Sequence, residues 1–516
     1  MSKTVRKTLY IFLGIVLLFF IVLISTNIIL KNKVENFTKE RLPENISATF
    51  KDVSLHLLNG TLTYSDVAVT LKNKSNDTAH TYLTADKVIV ADLSYWDYLF
   101  DNEIHIEDVK LKSPTIRYFK DRLVTTKDSA SQKPFMSLKK PLLVDELSIN
   151  NATVTFFDTS EKDTLLHARN LTVEVDDILV NKTTLNRRLP LEYSNYEANT
   201  DSIFLKMSPY ENLTVGDVIV KDKKATVSNL HLFTKYSKAE HASMLKKERD
   251  HFNVLLDSLE INNIDFGFNN RKFFAQSDFV KFTEIQATIY RNKLVADDPT
   301  IKPLYSKMLR DLPIDLTIDS VAITKSTITY QEKVKQEQPA GSVYFDSFNA
   351  RLSNVSNTYK QGTNTTITVD ARFMKSAPIQ VDWSFDVNNT QDKFTFKAEL
   401  TNLPAKQMNP FTKPNLLVAM EGEVNKNYFS IYGNSSQSKI DMQINYDEFK
   451  VEILNEKRNK KSGILSGIVN IFVNKDSDSS EDDFKKGSAT VTPDRTKSFF
   501  NYLWLNIAAA LKDCLL

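Results

Sequence analysis

Seven histidines and one cysteine are the residues of this sequence whose types most often bind metals or take part in catalysis. No two histidines form an H-E-x-x-H motif, and the lone Cys514 cannot build a cysteine-based zinc site. None of the 11 glycines has the spacing of a phosphate-binding loop, a dinucleotide-binding loop or a nucleophile elbow. These chemistries are therefore not indicated by any motif. The histidines are His56, His80, His105, His167, His231, His241 and His251.

An acidic run from Asp476 to Asp483 has the composition of a calcium loop but not its pattern. It lacks the glycine that such a loop needs at its sixth position, so we interpret it as a disordered acidic linker. His241 and His251, ten residues apart in one predicted helix, are interpreted as solvated or packing residues. The sequence predicts no catalytic, cofactor-binding or metal-binding residue and no cofactor, and we expect a protein that is not an enzyme.

An apolar segment near the N-terminus predicts a membrane anchor. Residues Leu9 to Leu30 contain no charge over 22 positions, which is long enough for a helix to span a bilayer and too long for the core of a signal peptide. The short head before it favours a cytoplasmic N-terminus with the long body exported. The net charge of +2 gives no overall attraction to nucleic acid.

The body contains a 13-residue pattern that recurs four times. Apolar residues occupy positions 1, 4, 6, 11 and 13, an aromatic residue closes each copy, and polar residues lie between positions 6 and 11. The alternation predicts two strand faces, and the polar stretch, which twice contains Asn-Asn, predicts a tight turn. We expect each copy to be a β-hairpin. The copies are Ile106 to Tyr118, Val144 to Phe156, Leu256 to Phe268 and Ile318 to Tyr330.

Later segments alternate more regularly and predict an antiparallel meander with one wet and one apolar face. The few helices are expected at Ser94 to Phe100, Ser237 to Phe252, Thr300 to Arg310, Pro404 to Pro414 and Ser498 to Leu511. These helices would cover only part of the apolar face. The face must therefore either fold into a dry sandwich or line a groove with an apolar occupant. The residues predicted to line such a groove are Ile379, Val381, Trp383, Phe385, Phe394, Phe396, Ile440, Met442 and Ile444.

Several of these segments together resemble the AsmA-like family of Gram-negative envelope proteins, in particular its short Bacteroidota-type members. The resemblance is one of pattern over most of the chain, and it offers no catalytic residue. It is carried by the anchor followed by Phe50 to Leu55, by Ala85 to Val90 with Leu93 to Phe100, by the repeated hairpins, by Leu403 to Asn434, and by the tail Ser498 to Trp504.

The resemblance implies an inner-membrane anchor and a periplasmic body that is an elongated, curled antiparallel sheet forming a groove. It also implies binding or transfer of phospholipid between the envelope membranes, or a part in outer-membrane biogenesis. The alternative is a structural or assembly protein of the envelope with a dry interior and no lipid. The C-terminal helix would cap the sheet or contact a membrane or partner. We expect four segments, namely 1–31 (head and anchor), 32–336 (repeated hairpins), 337–458 (meander) and 459–516 (apolar segment, acidic linker and helix).

Overall fold

The protein is mainly β. A computed structural model describes residues 44–56, 60–94, 96–124, 140–269, 272–454 and 484–515. Of these residues 61% lie in strands and 13% in helices, which confirms the expectation of a mainly β protein with few helices. Contacts divide the chain into two compact units, Met1–Ser228 and Asn229–Leu516. The expected boundary between 336 and 337 falls inside the second unit.

Among its described residues, the first unit contains strands, two short helical turns of the 3-10 type and one π-type turn, Asp97–Asp101. Strands β1 and β2 both pair with β3, which pairs with β4. Strands β5 and β6 both lie between β4 and β7 and pair with each of them, and β7 pairs with β8. Strands β9 and β10 both pair with β8, and they pair on their other side with β12 and β11, respectively. Strand β13 (Lys224–Thr234) continues into the second unit. The strands are β1 (Ile46–Thr49), β2 (Asp52–His56), β3 (Thr61–Lys72), β4 (Ala79–Leu93), β5 (Ile104–Lys112), β6 (Thr115–Phe119), β7 (Leu142–Phe157), β8 (Thr164–Val180), β9 (Asn195–Thr200), β10 (Ser202–Lys206), β11 (Glu211–Val215) and β12 (Val218–Lys221).

The second unit contains a sheet in which strands follow one another almost in sequence order. Strands β14 and β15 both pair with β16, and each strand from β16 to β24 pairs with the next. The strands are β14 (Asp250–Asn262), β15 (Asp265–Asn269), β16 (Lys272–Asn292), β17 (Asp315–Lys333), β18 (Gly341–Ser356), β19 (Asn364–Phe373), β20 (Ala377–Asp386), β21 (Phe394–Pro404), β22 (Val418–Gly433), β23 (Ser438–Ile453) and β24 (Lys485–Val491).

Four α-helices occur among the described residues, all in the second unit. They are α1 (Lys238–Met244), α2 (Tyr305–Arg310), α3 (Asn409–Leu416) and α4 (Phe499–Leu515). The last two confirm the expected helical corner and C-terminal helix. The helix expected from Ser237 to Phe252 is wrong in its second half, because β14 begins at Asp250 and His251 therefore lies on a strand.

The sheet is mixed, so the expectation of purely antiparallel pairing is wrong. In the first unit β5 and β6 run parallel to β7, and in the second unit β16 runs parallel to β17. The first parallel pairing aligns two copies of the 13-residue pattern position by position. Ile106 pairs with Val144, and Tyr118 pairs with Phe156, whose ring centroid lies 5.5 Å from that of Tyr118.

The repeated pattern does not form hairpins. The copy in β7 continues as one strand through Asn150 and Asn151, and the copy in β5 and β6 is one broken strand whose two parts pair with the same neighbours. The predicted left-handed residue is present, since Asn151 has φ of 57°. A single left-handed residue does not reverse a strand but shifts its alternation, so Leu147 and Ile149 just before Asn151 are buried on the same face as Ala152 and Val154 just after it.

Two hydrophobic cores follow from this patterning, one in each unit. The core of the first unit lies between Ile46 and Leu191, and Val88, Ile106 and Val180 in it are completely buried. The core of the second unit lies between Met374 and Leu515 and is formed by β19–β24 with α4. Neither core includes apolar residues from β14, β16 or β17.

The predicted anchor, Leu9 to Leu30, lies outside the described residues, as does the acidic run from Asp476 to Asp483. In the part of the chain that the structure describes, no helix has the length and apolar character needed to cross a membrane. The anchor remains a prediction from the sequence.

Candidate functional site

An apolar face extends across ten strands of the second unit, and we define it by two rows of paired residues. Residues paired on neighbouring strands point to the same side of a sheet, so each row is a continuous apolar line. One row is Ile261, Val280, Val321, Leu352, Ile367, Trp383, Phe396, Ile431, Ile440 and Ala489. The other is Leu259, Phe282, Ile323, Ala350, Val369, Val381, Ala398, Phe429, Met442 and Gly487.

Left-handed residues keep the apolar face on one side of the long strands. Glu284 in β16, Lys325 in β17 and Ser347 in β18 have φ of 59°, 52° and 48°. Each shifts the alternation of its strand, which brings Val280 and Ile285 of β16 to the same face. The rows are therefore flanked by further apolar residues beyond the shift, among them Ile285, Ile289, Ile328 and Tyr330.

Helix α4 covers one end of this face. Seven of the eight row residues on β21–β24, which we call the covered stretch, are buried. Gly487 of β24 allows close approach of the helix, since a Cβ atom there would lie 2.6 Å from the Ala510 carbonyl oxygen and 2.7 Å from Cys514 Sγ. A buried hydrogen bond of 2.8 Å, from Ser438 Oγ to Asn506 Oδ1, fixes the helix against β23.

The rest of the face is only partly covered. On β14 and β16–β20, which we call the open stretch, nine of the twelve row residues are partly exposed, and only Val280, Val321 and Ala350 are buried. Six strands at about 4.8 Å spacing make this stretch about 24 Å long. An apolar sheet face of this length that is only partly buried is a candidate surface for an apolar ligand.

The nine residues predicted to line a groove all point to this apolar side. Phe385, Phe394, Phe396, Ile440, Met442 and Ile444 are buried in the second core, whereas Ile379, Val381 and Trp383 are partly exposed and pack against that core. Among these six, Phe394 and Phe396 contact Phe499 of α4. Val381 and Trp383 lie at the border of the open stretch. The residues of β14, β16 and β17 that belong to this stretch were not among those predicted from the sequence to line a groove.

Trp383 marks the border between the two stretches. Its ring stacks on Phe499 of α4 at 4.7 Å and 12°, and Tyr305 of α2 meets it edge-on at 5.2 Å. Its Nε1–H is buried and has no acceptor among the described residues. An unpaired buried donor costs free energy, so an oxygen of a bound ligand would be favoured here.

The opposite, polar face carries a shallow cleft of about 670 Å³ on β20–β24. Acidic and basic residues alternate in it, for example Asp382 paired with Lys397 across β20 and β21. The alternation suits a solvated sheet surface, on which cross-strand pairs of opposite charge stabilise the fold.

A polar cluster in the first unit has the composition of a metal site. Asp97, Glu103 and His105 have ligand atoms within 4.8 Å of one another. However, Nδ1 of His105 lies 2.7 Å from Asp97 and Nε2 lies 2.9 Å from Asp145. Burial opposes charge on the ring, but these two carboxylates raise the pKa of His105 above its usual value. Each ring nitrogen of His105 faces a carboxylate, an arrangement that favours the protonated ring.

The single cysteine is not a reactive thiol. Cys514 lies at the end of α4 and is buried, and burial raises its pKa to about 12. A thiol with this pKa is almost entirely protonated at neutral pH and is a poor nucleophile and metal ligand.

Comparison of the sequence with protein-family models and with curated proteins gave no match.

Proposed function

We propose that the protein is a membrane-anchored envelope protein of the AsmA-like kind whose apolar sheet face shelters phospholipid acyl chains. In this proposal Leu9 to Leu30 spans the inner membrane of a bacterium, the body lies in the periplasm, and the lipid is bound or passed between membranes. The observation that carries the proposal is the open stretch, an apolar surface about 24 Å long that α4 leaves uncovered.

The open stretch has the dimensions and chemistry that an acyl chain requires. One leaflet contributes about 15 Å to the thickness of the hydrocarbon core of a bilayer, and this is the depth that an acyl chain spans in the leaflet. The open stretch is longer than this depth. Moving a chain of about 15 methylenes into water costs about 12 kcal/mol at about 0.8 kcal/mol per methylene. A continuous apolar row lowers this cost for the part of the chain that contacts it.

The second candidate is an assembly or structural protein that carries no lipid. The covered stretch favours it, because α4 already occupies the apolar face there and buries Ile431 and Ile440 completely. The two candidates differ in what lies on β14 and β16–β20, and this difference can be tested.

The test compares two variants of neighbouring residues in β16. Ile285→Asp places a charge among the apolar residues, whereas Gln286→Asp changes an exposed residue on the opposite face. Full-length protein is purified in mild detergent, folding is checked by circular dichroism, and bound phospholipid is quantified by mass spectrometry. We expect Ile285→Asp to lose most of the bound phospholipid and Gln286→Asp to retain it.

The pair also controls for lipid that surrounds the membrane anchor, because both variants have the same anchor. Equal phospholipid content in the two folded variants and the unaltered protein would contradict the proposal. Photo-crosslinking with a diazirine-labelled phospholipid gives a second measurement, and labelled peptides are expected from β14 and β16–β20.

A further inference from the structure

A turn in the first unit exposes three large apolar side chains. It links β4 to β5 and includes Asp97–Asp101. Trp96, Leu99 and Phe100 are 67%, 70% and 65% exposed, more than any other large apolar residue that the structure describes. The Trp96 and Phe100 rings lie 4.2 Å apart, so they form one apolar surface. We call Trp96 to Asn102 the aromatic turn.

The base of the aromatic turn is held firmly. His105 bonds Asp97 of the turn and Asp145 of β7, and the Asp97 amide donates to Ser94 Oγ at 3.3 Å. The Lys140 ammonium donates to the Tyr98 carbonyl and lies 3.7 Å from the centre of the Tyr98 ring. The exposed side chains are therefore presented by a fixed turn.

The charges near the turn indicate what kind of surface it fits. Lys140 contacts the turn, but no lysine or arginine occurs in the chain between Lys87 and Lys110, whereas Asp92, Asp97, Asp101 and Glu103 there are acidic, so acidic groups outnumber this lysine. This composition does not attract nucleic acid or anionic lipid. Tryptophan with neighbouring apolar residues is typical of the boundary between headgroups and acyl chains.

A bilayer lies within reach of the turn if the N-terminal segment is anchored as proposed. Fifteen residues separate Leu30 from the start of β1 at Ile46, a span of up to about 50 Å. Ile46 pairs with Leu71 of β3, and Val90 near the turn pairs with Leu62 of the same strand. The start of β1 and the base of the turn are therefore nine residues of β3 apart, or about 30 Å, which is less than the span of the segment that follows the anchor.

We propose that the aromatic turn inserts Trp96, Leu99 and Phe100 into the headgroup region of a zwitterionic bilayer and so gives the body a second membrane contact besides the anchor. The inference rests on the proposed membrane anchoring but not on lipid carriage. It assigns a docking role to residues that belong to neither the apolar face nor its two rows.

Tryptophan fluorescence tests this proposal directly, because the chain has only three tryptophans. The Trp383→Phe/Trp504→Phe variant of the full chain leaves Trp96 as the sole reporter. It is reconstituted into vesicles of phosphatidylcholine with or without brominated acyl chains. Insertion of about 5–10 Å is expected to give at least about two-fold lower emission in brominated vesicles, with protection from aqueous acrylamide.

Two further variants in this background make the result specific. Leu99→Asp/Phe100→Asp is expected to abolish the quenching by brominated chains, whereas Ile301→Asp, at a residue 61% exposed in the second unit, is expected to leave it unchanged. Circular dichroism confirms folding in each case. Adding phosphatidylglycerol is expected not to increase the quenching.

Equal Trp96 emission in both kinds of vesicle, with free access of acrylamide, would overturn the proposal and would favour a protein partner for the turn. Failure of the full chain to float with vesicles would overturn it together with the anchor. Quenching of Trp96 combined with equal lipid content of Ile285→Asp and Gln286→Asp would support docking and contradict lipid carriage.

Discussion

Phe499 and Phe500 are adjacent residues of α4 that should differ greatly in their importance for stability. Phe499 is 7% exposed and contacts Trp383, Phe394 at 5.0 Å and Tyr305 at 6.0 Å, whereas Phe500 is 61% exposed. Removing a buried phenylalanine side chain costs about 3–5 kcal/mol, and aromatic pairs contribute part of this cost. Removing a largely exposed one costs less than about 1 kcal/mol.

The comparison uses Phe499→Ala and Phe500→Ala in the full chain, unfolded by urea in detergent micelles. At a slope of about 3 kcal/mol per molar urea, Phe499→Ala is expected to lower the unfolding midpoint by about 1–1.7 M. Both variants are made in a Trp96→Phe/Trp504→Phe background, so that Trp383 is the sole tryptophan, and its fluorescence reports the transition because its ring stacks on Phe499. Equal midpoints for the two variants would refute the conclusion that α4 is part of the core of the second unit.

Four further predictions follow from single features. Ser438→Ala should lower the free energy of unfolding by about 1–3 kcal/mol, and Ser438→Ala/Asn506→Leu should cost less than the sum of its single changes, as measured by urea unfolding. Asn151→Val should cost about 1–2 kcal/mol because of the left-handed φ, and Asn150→Val less than about 0.5 kcal/mol. The Cys514 thiol, with a pKa of about 12, should react with a thiol reagent at pH 8 at least about 100-fold more slowly in folded than in urea-unfolded protein. The pKa of His105 is raised, so the stabilisation it gives is complete below the unfolded-state value of about 6.5 and is lost as pH rises through the higher folded-state value. Hydrogen exchange of residues 96–105, corrected for intrinsic rates, should therefore show protection that falls from pH 6 to pH 9, and His105→Gln should remove this change.

Strand alternation in the second unit could be predicted from the sequence. Segments such as Phe394 to Leu400 and Ile440 to Tyr446 alternate strictly between apolar and polar residues, and β21 and β23 bury their apolar residues as expected. The signal is strong there because the polar face is solvated and the other face lies against α4.

The repeated pattern fits two structures, because a hairpin turn and a left-handed residue within a continuous strand have similar sequences. Asn tolerates left-handed backbone in a hairpin turn and also at one residue within a strand. A hairpin requires the two halves of a copy to pair with each other, whereas Leu111 of β5 pairs with Ile149 of β7 and Ile116 of β6 with Val154 of the same strand. Such long-range pairing is not visible in one local window.

The extent of the apolar face was also hidden in the sequence. The change of alternation at Glu284 and Lys325 makes β16 and β17 look irregular, because Val280 and Ile285 differ in parity although they share a face. Nothing in the sequence indicated that Phe499 would stack on Trp383, since that contact joins residues 116 positions apart.

Each left-handed residue of the long strands changes which face of the sheet the odd- and even-numbered side chains beyond it occupy. A one-residue insertion ahead of Glu284 would therefore move the apolar side chains of the following stretch to the solvated face and the polar ones to the apolar face. A nearby one-residue deletion would restore the original phase. Chain length can therefore change in these strands only in compensated steps, whereas whole strands can be added with no effect on phase.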